Sequence, residues 1–392
     1  MLPLHNITVV SLEQAVAAPF ATRQLADLGA RVIKIERPGD GDFARGYDTT
    51  VHGMSSHFVW LNRSKESLTL DLKRAEAKTV LTGLMQKADV FVQNLAPGAA
   101  ARLGLGVEDL RKAYPRLIIC NLSGYGSNGP YRDKKAYDLL IQGETGLISI
   151  NGTPETPSKV GISVADISGG MYAYSGILTA LIARGQTGEG CALEVSLFDS
   201  LSEWMSFPAY YDTYGGSPPK RTGANHATIA PYGPVHSSDG KIVLLGLQNE
   251  REWKKFCDLV MRQPQLATDA RFDTNGKRVQ HRDDLDQLMA QVFGQLTAEE
   301  IIARLEDAQI ANGRLNTVAD FTEHPQLASR GRWTQIGSPE GNIRALYPPV
   351  IMEGLQPVMG PVPALGANTD AILGELGIDA ATIADWRQSG VV

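Results

Sequence analysis

Alternation is the feature that most limits what this chain can fold into. Apolar runs at residues 7–12 (ITVVSL), 31–36 (RVIKIE), 68–72 (LTLDL), 89–94 (DVFVQN) and 116–123 (RLIICNLS) are separated by helix-like stretches at 19–28, 74–87 and 107–114. Strand, helix and strand in repetition predict a parallel, doubly wound sheet, because parallel neighbours need a crossover and a helix supplies it. Pro19 opens the first helix and Gly29 lies just past its end, the expected asymmetry of helix termini. Ligands of such sheets bind at the carboxyl ends of the strands. Residues 13–19, Arg37, Asn94 and residues 123–126 fall there. A strand, a helix and a second strand ending in Glu36 also resemble the start of a dinucleotide fold. The connecting turn, EQAVAAP, lacks the glycine spacing that lets a pyrophosphate approach, which argues against a nicotinamide dehydrogenase.

The remainder reads differently. Residues 206–226 are rich in aromatics, Gly and Pro and read as a long crossing segment between domains. Residues 227–330 open with a hairpin around Asp239-Gly240 and turn helical, with a capping box at Thr297 and Glu300. A length of 392 residues favours two domains. The net charge of −6 argues against nucleic acid and an anionic membrane surface as partners. No run approaches about 18 apolar residues, so no membrane span is expected. The N-terminus shows no signal peptide. The three cysteines, Cys120, Cys191 and Cys257, are too few and scattered for a disulfide framework or zinc site. Buried thiols in a reducing cytoplasm fit, with no metal and no permanently bound cofactor.

The chemistry-bearing stretch is KVGISVADISGG, residues 159–170. Asp166 sits where a loop turns into an apolar helix, followed by a serine and two glycines. As an N-cap it would satisfy free backbone N–H groups. As a functional group it would stay ionised at the helix N-terminus, beside glycines that leave the backbone bare for something large to approach. An ionised carboxylate so placed is a candidate nucleophile.

Seven segments, in order, resemble the class III CoA-transferases, the family of formyl-CoA transferase and the carnitine CoA-transferases. They are AAPFATRQLADLGARVIKIERPGDGDFAR, LNRSKESLTLDLK, VFVQNLAPGAAARLGL, NLSGYGSNGPYRDKKAYDLLIQGETG, KVGISVADISGG, NHATIAPYG and RFDTNGKRVQHRDDL. The resemblance implies a large Rossmann-like domain from residues 1–205 and 331–392, a small α+β domain from 227–330, and a homodimer whose chains interlock. It implies coenzyme A and acyl-CoA as substrates and places the family nucleophile on Asp166. Carried over one by one, the CoA-binding positions are Val16 and Ala17 after the first strand, Arg37, Leu70 and Lys73, Asn94 and Leu95, Arg102, and Lys135 with Tyr137. The cations among them suit phosphate. Val16 and Leu95 replace a glutamine and a phenylalanine of formyl-CoA transferase. The glycine-rich lid of that enzyme corresponds to residues 245–249, which hold a single glycine, Gly246.

The same fold hosts α-methylacyl-CoA racemases, which pair the aspartate with a histidine. That histidine falls on Tyr137, which lacks an imidazole's ready basicity near neutral pH, so transfer is expected over racemisation. For the acid partner, Arg45, Glu144, His226, Gly246 and Gln248, with Tyr232, are the candidates. An arginine suits the distal carboxylate of a C4 or C5 diacid such as succinate, mesaconate, itaconate or citramalate.

Overall fold

The computed structural model covers all 392 residues. They divide into two compact units, Met1–Thr145 with Gly161–Met205 and Leu327–Val392, and Gly146–Val160 with Ser206–Gln326. This division differs from the sequence boundaries at three places. Residues 146–160 group with the second unit, the crossing segment 206–226 belongs to that unit and begins as a helix, and residues 327–330 group with the first.

The first unit is built on six parallel strands: β1 (Thr8–Leu12), β2 (Arg31–Glu36), β3 (Lys65–Thr69), β4 (Val90–Gln93), β5 (Ile118–Ser123) and β6 (Ala192–Ser196). Their order is β3-β2-β1-β4-β5-β6. The chain winds outward from β1 and then returns to start again at β4. The switch point therefore lies between β1 and β4, where ligands of doubly wound sheets bind. The helices between and after them are α1 (Ala17–Asp27), α2 (Ser56–Asn62), α3 (Glu76–Lys87), α4 (Ala99–Arg102), α5 (Val107–Ala113) and α6 (Asp138–Glu144). The short α7 (Leu147–Ile150) belongs to the second unit; α8 (Val164–Thr187) and α9 (Leu197–Trp204) return to the first.

The third strand departs from its sequence expectation. It runs over Lys65–Thr69, pairing Val32 with Lys65 and Glu36 with Thr69, rather than over residues 68–72. Lys65 and Ser67 are polar yet buried, so hydrophobic patterning hides the strand's first half. Their burial is satisfied by ionic and hydrogen-bonding partners. Lys65 Nζ reaches Glu13 Oε1 at 2.7 Å and the Pro19 carbonyl at 3.1 Å, and the Ser67 hydroxyl donates to Glu36 at 2.6 Å. Leu68 and Leu70 pack fully buried into the core with Val10, Ile33, Phe91 and Ile119.

The second unit holds the helix α10 (Ser206–Gly215) and an antiparallel sheet of β7 (Tyr232–His236), β8 (Ile242–Gly246) and β9 (Ala311–Arg314). The β7–β8 hairpin turns at Gly240, whose φ of 75° requires its missing side chain. Helices α11 (Glu250–Lys255), α12 (Asn275–Gln280), α13 (Arg282–Phe293) and α14 (Ala298–Asp307) close over it. The core of this unit buries Trp253, Phe256, Phe272 and Phe293, and Thr297 with Glu300 forms the expected capping box. No helix is long and apolar enough to cross a membrane.

Candidate active site

Asp166 is not the cap of its helix. It occupies the third position of α8, and Ser163, at the cap, makes no side-chain capping bond. The capping acid is Asp138, at the start of α6. Its Oδ1 accepts the Ala165 backbone N–H at 2.8 Å, and its Oδ2 accepts from the Gln142 side chain at 2.7 Å. The Asp166 carboxylate gains no such hydrogen bond. Burial, with the Asp138 charge adding to it, pushes Asp166 up to about 7. The expectation that the helix terminus keeps it fully ionised is therefore corrected: a second acid has taken the terminal N–H and repels the first.

The two glycines also have another role than the sequence suggested. A Cβ on Gly170 would lie 2.6 Å from the Ala17 carbonyl oxygen and 3.0 Å from the Phe20 ring. One on Gly169 would lie 2.6 Å from Leu197. The large objects they admit are helices α1 and α9. The consequence still serves the site. Gly170 lies one turn along α8 from Asp166, so its contact with Ala17 brings the β1–α1 turn to the same face.

That turn carries Val16 and Ala17, both buried. Asn94 fastens it across the switch point, its side chain accepting from the Gln14 N–H and donating to the Gln14 carbonyl, both at 2.9 Å. Asn94 is thus a clamp on the neighbouring loop. Arg37, Leu70 and Leu95 converge on one cavity at the carboxyl edge of the sheet, lined also by Leu12, Ile35 and Leu72; Asp166 is not part of it. Lys73, Arg102 and Lys135 are exposed cations. Tyr137 precedes the capping acid and is 67% exposed.

Arg45 is committed elsewhere. Its Nε and Nη2 donate to the two oxygens of Glu36 at 2.8 and 2.9 Å, and its guanidinium lies 3.7 Å from the Phe58 ring centre. Burial alone would raise Glu36; the Arg45 hydrogen bonds and the Lys34 charge bring it down to about 2. An arginine so engaged is held to Glu36, in place of the free cation that the sequence suggested for an acyl carboxylate. Glu144 is likewise ion-paired with Lys134, which lies 4.2 Å from the Tyr131 ring centre.

Sequence reasoning missed Asp138 and Tyr47. Burial lifts the Tyr47 phenol to about 12, with Asp42, Asp166 and Tyr137 contributing in that order. Tyr47 therefore lies within electrostatic reach of Asp166. Asp138 sits inside a segment already singled out, NLSGYGSNGPYRDKKAYDLLIQGETG, and Tyr47 lies two residues past the end of another, but nothing local marks either one.

In the second unit, His226, Tyr232 and Gly246 come together. The His226 ring lies 5.1 Å from the Tyr232 ring, and a Cβ on Gly246 would lie 3.2 Å from that same ring. The Thr228 N–H donates to His226 Nδ1 at 3.2 Å, so a neutral imidazole carries its proton on Nε2. Asn275 and Arg282 hold this loop through the Thr228, His226 and Ile229 carbonyls. Gly246 ends strand β8, paired with Tyr232, and Asn249 caps α11. Of the stretch expected to correspond to a glycine lid, Leu245 and Gly246 belong to strand β8 and residues 247–249 connect it to α11. Gln248 is exposed beside it.

Comparison with known proteins gives the class. Residues 4–369 match the family model described as CoA-transferase family III. An acyl-CoA transferase of Fusarium pseudograminearum is 34% identical, over 99% of this chain and 88% of its own length. The succinyl-CoA:glutarate CoA-transferase of Mus musculus is 32% identical, over 100% of this chain and 91% of its own. Among solved structures, a CAIB/BAIF family protein from Brucella suis superposes with a TM-score of 0.84 at 34% identity, covering 96% of this chain and 99% of that one. The chain belongs to CoA-transferase family III.

Proposed function

We propose that the protein moves coenzyme A between an acyl-CoA thioester and a C4 or C5 dicarboxylic acid, with Asp166 as nucleophile. What supports this reading is the setting of Asp166: a half-buried carboxylate with no hydrogen-bond donor on it, one helical turn from Gly170, which lies against the Ala17 carbonyl of the β1–α1 turn. A carboxylate stripped of solvating partners is a stronger nucleophile once ionised.

The Asp166 carboxylate attacks the thioester carbonyl. The C–S bond breaks, CoA leaves as thiolate, and a mixed aspartyl–acyl anhydride remains. The thiolate then attacks the aspartyl carbonyl, releasing the acyl group as carboxylate and leaving an aspartyl-CoA thioester. The incoming acid attacks that thioester, and the sequence runs in reverse to give the new acyl-CoA and free Asp166. Arg37, Leu70 and Leu95 around one cavity support a CoA-nucleotide site at the sheet edge, with Lys73, Arg102 and Lys135 as exposed cations for its phosphates. The dicarboxylate preference is supported by a full-length relative named for succinyl-CoA and glutarate. The His226 Nε2–H is a candidate donor to the acid. Tyr137 at the position of the racemase histidine disfavours α-carbon proton transfer.

The proposed assembly is a homodimer. Phe207, Tyr210, Tyr211 and Tyr214 are all exposed on α10 and follow the i, i+3, i+4, i+7 spacing of one helix face. An uncovered aromatic stripe of that kind marks a protein contact.

The test is mass spectrometry of the intact protein after incubation with succinyl-CoA, with borohydride and hydroxylamine trapping. An adduct mapping to residues 159–170, absent in Asp166→Asn, is expected. Full exchange by Asp166→Ala would overturn the reading.

A further inference from the structure

The β1–α1 turn contains a conformational outlier. Ala15 has φ 62°, in the left-handed region that a residue with a Cβ enters at a cost. Such conformations persist where their surroundings over-determine them. Here the surroundings are a buried ionic cluster. Asp42 Oδ1 accepts the Ala15 N–H at 3.1 Å and the Ala44 N–H at 2.9 Å, while Oδ2 pairs with Lys34 Nζ at 2.7 Å. Lys34 also lies 3.6 Å from Glu13, and Glu13 pairs with Lys65. Asp42, Lys34, Glu13 and Lys65 are all buried. Beyond the outlier, the chain turns into Val16 and Ala17, whose carbonyl packs on Gly170 of the helix that presents Asp166.

We propose that Asp42 is a positioning residue for the transfer reaction, holding Ala15 in its left-handed conformation so that the Gln14–Ala17 backbone is set to receive acyl-CoA. The proposal rests on the assignment of that turn to CoA binding. A carboxylate serves here because one oxygen is needed for two backbone N–H groups while the other remains for a buried ammonium. Lys34 in turn supplies the buried positive partner for that second oxygen.

The experiment compares Lys34→Met/Asp42→Asn with Lys34→Met/Asp42→Ala. Both lack the ion pair; only the first keeps an oxygen for the Ala15 N–H. The alanine version should show a KM for succinyl-CoA raised about tenfold over the asparagine version, the size of one backbone hydrogen bond, with kcat within about threefold. Adding Ala15→Gly, which removes the left-handed penalty, should recover at least half of that loss on a logarithmic scale. A change in general stability alone would not respond to Ala15→Gly in this way. Equal KM values for the two double variants overturn the proposal. Should the alanine version fail to fold, Ala15→Val makes the same conformation costlier in an intact cluster, and an unchanged KM there overturns it as well. Absence of CoA binding by the wild-type protein would instead defeat the CoA-site assignment itself.

Discussion

The carboxylate of Asp138 caps the helix that presents Asp166, accepting the Ala165 N–H at 2.8 Å. One acid thereby fixes the backbone under the other while repelling its charge. Burial and then Asp138 raise Asp166 to about 7, so the proposed nucleophile ionises near neutral pH. Asp138→Asn keeps an oxygen for the cap and removes the charge. The acid limb of the kcat/KM profile should move to lower pH, and the ratio of activity at pH 6 to that at pH 8 should rise roughly two- to fivefold, as a fraction of a pKa unit produces. An unmoved limb would separate Asp138 from the titration.

The same shift has a stability consequence of definite sign. The folded value of about 7 lies above the ordinary aspartate value of about 3.9. The folded protein therefore binds the extra proton, and the stability associated with it is lost as pH rises through 7. Asp166→Asn should abolish exchange by at least about a thousandfold. It should also raise the melting temperature at pH 8 by about 2–4 °C, with little change near pH 4. Melting curves at the two pH values decide it.

Gly170→Ala tests the packing account of the glycines. Its Cβ would meet the Ala17 backbone oxygen at 2.6 Å, and backbone cannot step aside as a flexible side chain can. A loss of about 1–3 kcal/mol is expected in urea denaturation, together with a raised KM for acyl-CoA as α1 is displaced. A wild-type midpoint would mean that the glycine serves ligand approach instead.

Arg45→Ala should destabilise rather than change specificity. It leaves Glu36 buried without its bidentate partner, at a cost of about 3 kcal/mol at neutral pH. Glu36 is held near 2, below its ordinary range, so the stability it contributes is present above that range and lost as pH falls towards 2. The deficit of the variant should narrow in acid. The preference for glutarate over a monocarboxylic acid, measured as a ratio of kcat/KM values, should stay the same; a shift in that ratio would return Arg45 to the substrate.

The sequence alone determined the parallel, doubly wound class of the sheet and the family, and it singled out Asp166 as the proposed nucleophile. The apolar runs of β1, β2, β4 and β5 are buried on both faces, so hydrophobicity announces them, and the family segments lead directly to Asp166. What escaped the sequence depends on partners far along the chain. Strand β3 begins at Lys65 because Glu13 and Asn62 satisfy its buried ammonium, and no local pattern carries that information. Arg45 reads as a free cation until Glu36 closes on it. Gly169 and Gly170 read as bare backbone until α1 and α9 fill the space. The titration of Asp166 was inferred from its own helix, but burial and an acid 28 positions earlier decide it. Charge, burial and close approach are properties of assembled neighbours, so only the tertiary structure could set them.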